Sequence, residues 1–500
     1  MRSAPEYRLH LETYDSRHAG TTLAGLRLVQ NSRDVQPGDI FVAVGSTGAD
    51  GSAFIGHGFA QGASYALYDA SVDISTLNLS PSAHATAFPI ARLHQQLGTI
   101  ADDFYGHPSR DLTLVGVTGT NGKTSVVQLL NQAWNLLGIR SASMGTLGAG
   151  VYGSPNITTG LTTPPVTQVH EFLANFREEG ATRVALEVSS HALQQGRVAG
   201  ARFSTAAFTN LTRDHLDYHR TMERYAAEKA KIFSLPEVTG AVINLDDVQG
   251  ERFFEHQASH LRRVGVSSQG HPAALLAAHN VQLSPDGIQA TLRYGKEEYP
   301  FATTLLGRFN IDNLLICAGV LLLEGVEPAV VFNILGQLQP VFGRMNRIQP
   351  DPSLPLVIVD YAHSPDALSQ SLAALKEHTR GRIVTVFGCT GDRDRGKRPE
   401  MARIAEEASD LVVVTDDDVH FEDGDQILDD IRRGFKHPER VVEQRDRGLA
   451  IEHAIDHAVA GDIVLIAGKG HESAMIVGDE LVHFSDTEHT LALLTARLAR

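Results

Sequence analysis

The densest chemical information in the chain lies in Gly116-Val-Thr-Gly-Thr-Asn-Gly-Lys-Thr-Ser125. This glycine-bearing turn follows an apolar run over 112–117. It precedes a helical pattern with Val126, Val127, Leu129, Leu130, Ala133 and Leu137 apolar, closed by Gly138. A turn so placed converges several backbone N–H groups on one spot, and the helix N-terminus adds about half a positive charge. Lys123 can reach the β- and γ-phosphates of a nucleoside triphosphate, and Thr124 can set its hydroxyl on Mg²⁺. The full phosphate-loop pattern has a further glycine at position 117, where this chain has Val117. A plain glycine-rich turn with a surface lysine would share some of these residues. Strand, turn, Lys-Thr and helix nevertheless stand in the order that phosphate binding needs. Gly119, Thr120, Asn121, Gly122, Lys123, Thr124 and Ser125 are expected to hold ATP.

Three blocks must position this turn and its partners. Residues 1–110 contain a short strand over 39–44, a small-residue helix near 55–62, a strand over 64–68 and an apolar helix over 93–105. Residues 111–345 repeat strand-then-helix units, with strands over 183–188, 205–208 and 241–244. Such alternation predicts a parallel sheet covered by helices. A hairpin is expected around Ser284-Pro-Asp-Gly287. Residues 346–500 carry four Val/Ile runs, over 356–360, 383–387, 411–415 and 463–467, as strands buried on both faces require. The expected fold is α/β with three domains: a smaller N-terminal α/β domain, a central P-loop ATPase-type parallel sheet and a C-terminal Rossmann-like sheet. Ligands of such sheets sit beyond the carboxyl ends of the strands. That makes 360–363, 388–395, 416–418 and 468–472 candidate site segments.

Composition narrows the function classes. With 500 residues, 42% hydrophobic and 20% charged, the chain reads as globular. A formal charge of −16 argues against a nucleic-acid or membrane partner recruited by an overall basic field. Cys317 and Cys389 stand far apart, give no metal-ligand spacing and suit a reducing compartment. Met1 to Tyr14 lacks the apolar core of a secretory signal, and no apolar run nears the ~18 residues of a membrane span. A cytoplasmic protein, most simply a monomer, is expected.

The phosphate loop is followed by Glu187-Val-Ser-Ser-His-Ala-Leu193, Thr209-Asn-Leu-Thr-Arg-Asp-His-Leu-Asp-Tyr-His219, Gly307-Arg-Phe-Asn-Ile-Asp-Asn313 and Gly343-Arg-Met345. Then come Asp360-Tyr-Ala-His-Ser-Pro365, Gly388-Cys-Thr-Gly-Asp-Arg-Asp394 and Gly468-Lys-Gly-His-Glu472. In this order the blocks resemble the ATP-dependent Mur ligases. Within that family they are most similar to the members that add the third residue to UDP-N-acetylmuramoyl-L-alanyl-D-glutamate in peptidoglycan synthesis. The resemblance implies an amide ligase that activates a carboxylate as an acyl phosphate, and domains that close around substrate. By the same resemblance Thr124, Glu187, His215 and Lys229, the last as N6-carboxylysine, would hold Mg²⁺. Lys123, Glu187, His215 and Lys229 would be the catalytic set. The choice of Lys229 over Lys231 rests on the resemblance alone. Asn310 and Asn313 would read adenine, and Arg344 and Asp360 would lie near the phosphates and ribose. Ser32, Arg33, Thr162, Thr163, Ser189 and Arg197 would hold the muramoyl-dipeptide nucleotide, and Arg393, Gly468 and Glu472 the incoming amino acid.

One segment departs from the family pattern. Asp417-Asp418-Val419-His420 stands where diaminopimelate-adding members carry Asp-Asn-Pro-Arg, and histidine lacks arginine's permanent bidentate cation. Three consecutive aspartates, Asp416 to Asp418, are expected to attract an ammonium group. A diamino acid follows, with lysine or ornithine allowed and diaminopimelate in question. Two alternatives stay open: a related amide ligase acting on another carboxylate in secondary metabolism, and an inactive nucleotide-binding partner.

Overall fold

Strands rich in Val, Ile and Ala on both faces are stable only when helices cover the sheet from either side. In this computed structural model, which describes residues 7–45 and 50–499, such strands build the cores of two compact units. The first unit runs to Leu276 and includes Leu315–Glu327; the second comprises Ala277–Leu314 and Pro328–Arg500.

The first unit's large sheet has Thr113–Thr118 at its centre, flanked in parallel by Arg183–Glu187 and Thr205–Phe208. Register sets Glu187 opposite Val117 and Phe208 opposite Thr118, so three carboxyl ends emerge side by side. Gly240–Asn244 and Arg262–Ser267 extend one side in parallel, and Ser141–Gly145 with antiparallel Gly148–Val151 the other. A separate parallel sheet comprises Leu28–Val29, Ile40–Val42, Tyr65–Asp69 and Ala87–Ile90. Its core, with Leu93, Leu97, Ile100 and Phe104 of helix Leu93–Phe104, also takes in Val166 and Ala174 of helix Val166–Glu178. This shared core packs residues 7–110 against helix Val166–Glu178. Contact is closest where Gly98 meets the turn at 196–200. A Cβ on Gly98 would lie 2.5 Å from the Ala199 Cβ, and one on Gly200 (φ +83°) would lie 2.4 Å from the Gly98 carbonyl oxygen.

In the second unit Leu356–Asp360, Ile463–Ala467, Ile383–Phe387, Leu411–Val414 and Val442–Glu443 lie parallel in that order, with Asn346–Ile348 antiparallel at one edge. The expected hairpin is present as Leu276–Ser284 and Gly287–Tyr294, with a third strand, Glu297–Thr303. Gly287 has φ +133°, and a Cβ there would meet the Thr303 carbonyl oxygen at 1.9 Å. His378 ties this meander to the parallel sheet. Its Nε2 accepts from the Gly307 N–H at 2.8 Å, so Nδ1 carries the proton and donates to the Ser284 carbonyl at 2.6 Å. Among the described residues no helix is long and apolar enough to cross a membrane.

Burial, opposed by the Ser284 bond, holds the His378 imidazole below its usual range. A depressed folded pKa stabilises fully above the unfolded value of about 6.5, and that contribution is lost as pH falls toward the folded value. His378→Ala, which leaves a buried N–H and C=O unpaired, should cost about 1–3 kcal/mol at pH 8. Its urea midpoint should also fall less than that of the wild-type chain between pH 7 and 5.

Candidate active site

The loop after Thr113–Thr118 turns through Gly119 (φ +152°) and Gly122 (φ +84°) into helix Lys123–Leu136. A Cβ on Gly119 would lie 1.8 Å from Thr209 Oγ1, so only glycine fits. Neighbouring strand ends brace the loop: Thr120 N–H donates to the Asn210 carbonyl at 2.9 Å, and Asn121 N–H to Asn210 Oδ1 at 2.9 Å. Thr209 Oγ1 donates to the Asn121 carbonyl at 2.6 Å. Lys123 Nζ folds over the loop and donates to the Gly119 and Thr120 carbonyls at 3.0 and 2.7 Å. Lys229, wholly buried on helix Met222–Ala230, donates to the same Gly119 oxygen at 2.6 Å and lies 4.5 Å from the Tyr225 ring centroid. Burial, reinforced by Lys123, pushes the Lys229 amine well below the usual lysine range.

Glu187 is 1% exposed at the end of its strand. Its carboxylate accepts from Thr124 Oγ1 at 3.0 Å, Thr146 N–H at 2.8 Å and Thr146 Oγ1 at 3.2 Å. Among the described residues no ion pair reaches it. A buried anion met only by neutral donors, with a hydroxyl alongside, fits a hard divalent cation. His215 adopts φ +52°, is exposed, and has its ring 6.2 Å from that of Tyr225 and 4.9 Å from that of His191. Its Nε2 lies 3.5 Å from Asp214.

A groove leads away from Glu187. Thr163 Oγ1 donates to the Glu187 carbonyl at 2.8 Å, Ser189 N–H donates to Thr163 Oγ1 at 3.1 Å, and Arg197 Nη1 donates to the Thr163 carbonyl at 2.8 Å. Thr146 Oγ1 reaches Thr162 Oγ1 at 3.4 Å. Arg197 also lines a small cleft with Gln30, Gly45 and Pro165. Those three residues recur, in whole or in part, around a cavity of about 580 Å³ that contains Ser32, Arg33, Asp50, Gly51 and Glu171. Thr162, Thr163, Ser189 and Arg197 are thus one hydrogen-bonded row, and Ser32 and Arg33 lie beyond its far end.

In the second unit Asn310 and Asn313 share a helix face: Asn313 Nδ2 donates to Asn310 Oδ1 at 2.9 Å, and Asn310 Nδ2 to the Leu306 carbonyl at 2.7 Å. Asp360 is spent internally, accepting from Met345 N–H at 3.1 Å and Ser371 Oγ at 2.5 Å. Arg344 stacks 4.8 Å from the Tyr361 ring centroid, and Tyr361 O–H donates to Glu472 at 3.4 Å. Burial, with Glu472 adding to it, pushes the Tyr361 phenol up to about 12. Gly468 N–H donates to the Asp360 carbonyl at 3.1 Å, whereas Arg393 is exposed in its loop.

The three aspartates do not form the free anionic patch expected. Asp416 pairs with Arg445 at 2.9 Å. Asp418 takes Lys469 Nζ at 2.8 Å and the Ile476 N–H at 2.9 Å, and Asp417 lies 3.8 Å from Lys469. Lys469 is itself wholly buried, and Glu472 supplies its third carboxylate at 3.2 Å. Arg447, fully buried against Asp486 at 2.7 Å, steadies the same strand ends through the Ala467 and Asp416 carbonyls. Two internal cations, Arg445 and Lys469, serve the carboxylates of Asp416, Asp417, Asp418 and Glu472, so the aspartates are engaged internally while the cluster keeps net negative charge. His420 (φ +50°) is held by its backbone, which pairs with Ile476 and Gly478.

Thr146, Tyr225 and Lys469 complete these clusters, although the sequence did not single them out. Only Lys469 lay within a recognised block; Thr146 follows a strand of small residues that carries no apolar signal.

Comparison with known proteins identifies the family. Residues 117–321 match the Mur ligase middle domain and 343–470 the Mur ligase glutamate ligase domain. The chain belongs to the Mur ligase family. It is 51% identical over 445 residues, 89% of either chain, to the UDP-N-acetylmuramoyl-L-alanyl-D-glutamate--2,6-diaminopimelate ligase of Xanthomonas oryzae. A solved structure described by the same words aligns with TM-score 0.70 and 31% identity over 98% of this chain and 99% of that one. The fold is also that of MurF ligase from Thermotoga maritima, solved in complex with ADP (TM-score 0.62, 17% identity, 95% and 98% covered).

Gly119→Ala should lower the thermal midpoint and abolish the midpoint rise that ATP with Mg²⁺ gives the wild-type chain, both read by scanning fluorimetry. An unchanged ATP response would contradict the packing at Thr209.

Proposed function

We propose that this Mur ligase joins 2,6-diaminopimelate to UDP-N-acetylmuramoyl-L-alanyl-D-glutamate at the expense of ATP, as a cytoplasmic step of peptidoglycan synthesis. The observation that carries this is 51% identity over 89% of the chain to a relative so named. The hydrogen-bonded row ending at Glu187 supports it, because an elongated acid needs such a track to bring its carboxylate to the phosphate loop. On this reading residues 1–110 hold the uridine nucleotide at Ser32 and Arg33, and 111–345 hold ATP. Residues 346–500 hold the amino acid, with Arg393, Asp417, Asp418, His420, Gly468 and Glu472 around it. With Asp416 to Asp418 already engaged by Arg445 and Lys469, their charge is a weaker reason to prefer lysine or ornithine.

In the reaction, a carboxylate oxygen attacks the γ-phosphorus and the bond to ADP breaks, leaving an acyl phosphate. The free amine then attacks the acyl carbon, and the tetrahedral intermediate collapses to amide as phosphate leaves, with the nitrogen's proton passing to the departing phosphate or solvent. The first step brings two anions together and the second builds negative charge on the tetrahedral oxygen and the leaving phosphate, so cation density at fixed positions is the main catalytic need. Lys123 exchanges its two loop carbonyls for phosphate oxygens, and the N–H groups of helix Lys123–Leu136 face the same charge. Thr124 and Glu187 fit Mg²⁺, which when bound neutralises charge between phosphate and carboxylate; His215 is assigned to a second ion. Burial shifts the Lys229 amine toward the uncharged form that addition of carbon dioxide requires, and as N6-carboxylysine it would present an anion beside Lys123. Asn310 and Asn313 are assigned to adenine, and Arg344 to the phosphates. Asp360 is assigned to holding the backbone beside Arg344, since both its oxygens are engaged.

Phosphate release from ATP, with the muramoyl-dipeptide nucleotide and a panel of amino acids, tests this. Release with diaminopimelate should exceed that with lysine or ornithine at least tenfold, and no release with any amine would overturn the assignment. Lys123→Ala should lower kcat by at least about a hundredfold. Lys229→Ala should be inactive but partly restored by formate or acetate, and a fully active variant would remove the carbamate role.

A further inference from the structure

Lys469 is 0% exposed, yet its ammonium meets three carboxylates. Nζ donates to Asp418 Oδ1 at 2.8 Å and to Glu472 Oε2 at 3.2 Å, and lies 3.8 Å from Asp417 Oδ1. Asp417 and Asp418 follow strand Leu411–Val414, whereas Lys469 and Glu472 follow Ile463–Ala467. Strand Ile383–Phe387 lies between those two, so the lysine joins loops that the sheet keeps a strand apart. Exposure is graded across the cluster. The Glu472 side chain is 36% exposed, that of Asp418 13% and that of Asp417 5%. Glu472 is therefore the open edge, and the ammonium is sealed directly behind it.

Burial works against the Lys469 ammonium, but Asp417, Asp418 and Glu472 outweigh it and hold the amine above the usual lysine range. Neighbouring charges cancel in pairs, Asp416 with Arg445 and Arg447 with Asp486. Three carboxylates against one ammonium remain, so the cluster is anionic with a fixed positive centre. A group hydrogen-bonded to Glu472 comes within about 6 Å of Lys469 Nζ. There, one unit charge alters binding by about a hundredfold at an effective dielectric near 20.

We infer that Lys469 is a specificity-determining residue, whose buried charge sets how the far end of the incoming amino acid is read. This rests on the assignment of Asp417, Asp418 and Glu472 to that amino acid. Diaminopimelate is lysine with one further carboxylate, on the carbon that bears the distal amine. The cluster's carboxylates attract that amine in both compounds. They also repel the further carboxylate, and among these four groups only Lys469 draws it in. The lysine thus favours the dicarboxylate over free lysine, and it does so by charge without touching the acceptor.

The test is the ratio of kcat/KM for diaminopimelate to kcat/KM for lysine, read as phosphate release at saturating ATP and muramoyl-dipeptide nucleotide. Lys469→Met should lower this ratio at least about tenfold. Asp418→Asn should raise it at least about threefold, because it removes a negative charge. Lys469 Nζ and the Ile476 N–H both donate to Asp418 Oδ1, an oxygen that asparagine retains. The Asp418→Asn arm therefore decides the matter even where Lys469→Met fails to fold. A merely structural role would slow both acceptors together, and a ratio unchanged in the folded variants overturns the inference. Wild-type turnover separates this from the parent assignment: release with neither acceptor would overturn that assignment, and this inference with it.

Discussion

Two lysine side chains, Lys123 and Lys229, end on a single carbonyl oxygen, that of Gly119. Their nitrogens are therefore no more than about 5.6 Å apart, and two full charges at that distance repel by about 3 kcal/mol at an effective dielectric near 20. Lys229 is the one sealed from water, and burial with Lys123 beside it pushes its amine well below the usual lysine range. Much else around the loop serves this arrangement. Gly119 must be glycine for its carbonyl to reach both lysines while its α-carbon touches Thr209. Tyr225 packs under the Lys229 amine and hydrogen-bonds the loop at Thr120. Parallel register then delivers Glu187 and Asn210 to the same end of the sheet.

Where function is built from backbone turns, the sequence was legible. The phosphate loop is a local signal: glycines, a lysine and a helix start within ten residues, bordered by a strand whose apolar run has no competing explanation. The Val/Ile strands of the C-terminal sheet were equally plain. Ser141–Gly145 and Gly148–Val151 escaped notice because Ser, Ala and Gly carry little hydrophobic contrast, although their burial is complete. Thr146, which gives Glu187 two of its three bonds, was hidden for that reason.

Charge was harder to read than shape. Asp416, Asp417 and Asp418 look like an anionic patch in the linear chain. Their partners, Arg445 and Lys469, arrive from 29 to 52 residues away and offset part of that charge. A run of like charges is informative only once the elements that return to it are known.

The crowded meeting of Gly98 with Ala199 and Gly200 bears on how such proteins can be recombined. Neither Gly98 nor Gly200 has room for a β-carbon, so the fit is a matched pair of bare backbones three residues from Arg197. A hybrid that grafts a foreign amino-terminal sheet onto this central core would inherit a clash unless its counterpart of position 98 also lacked a side chain. Steric matching at one helix crossing thus limits which modules are interchangeable, independently of any substrate they recognise.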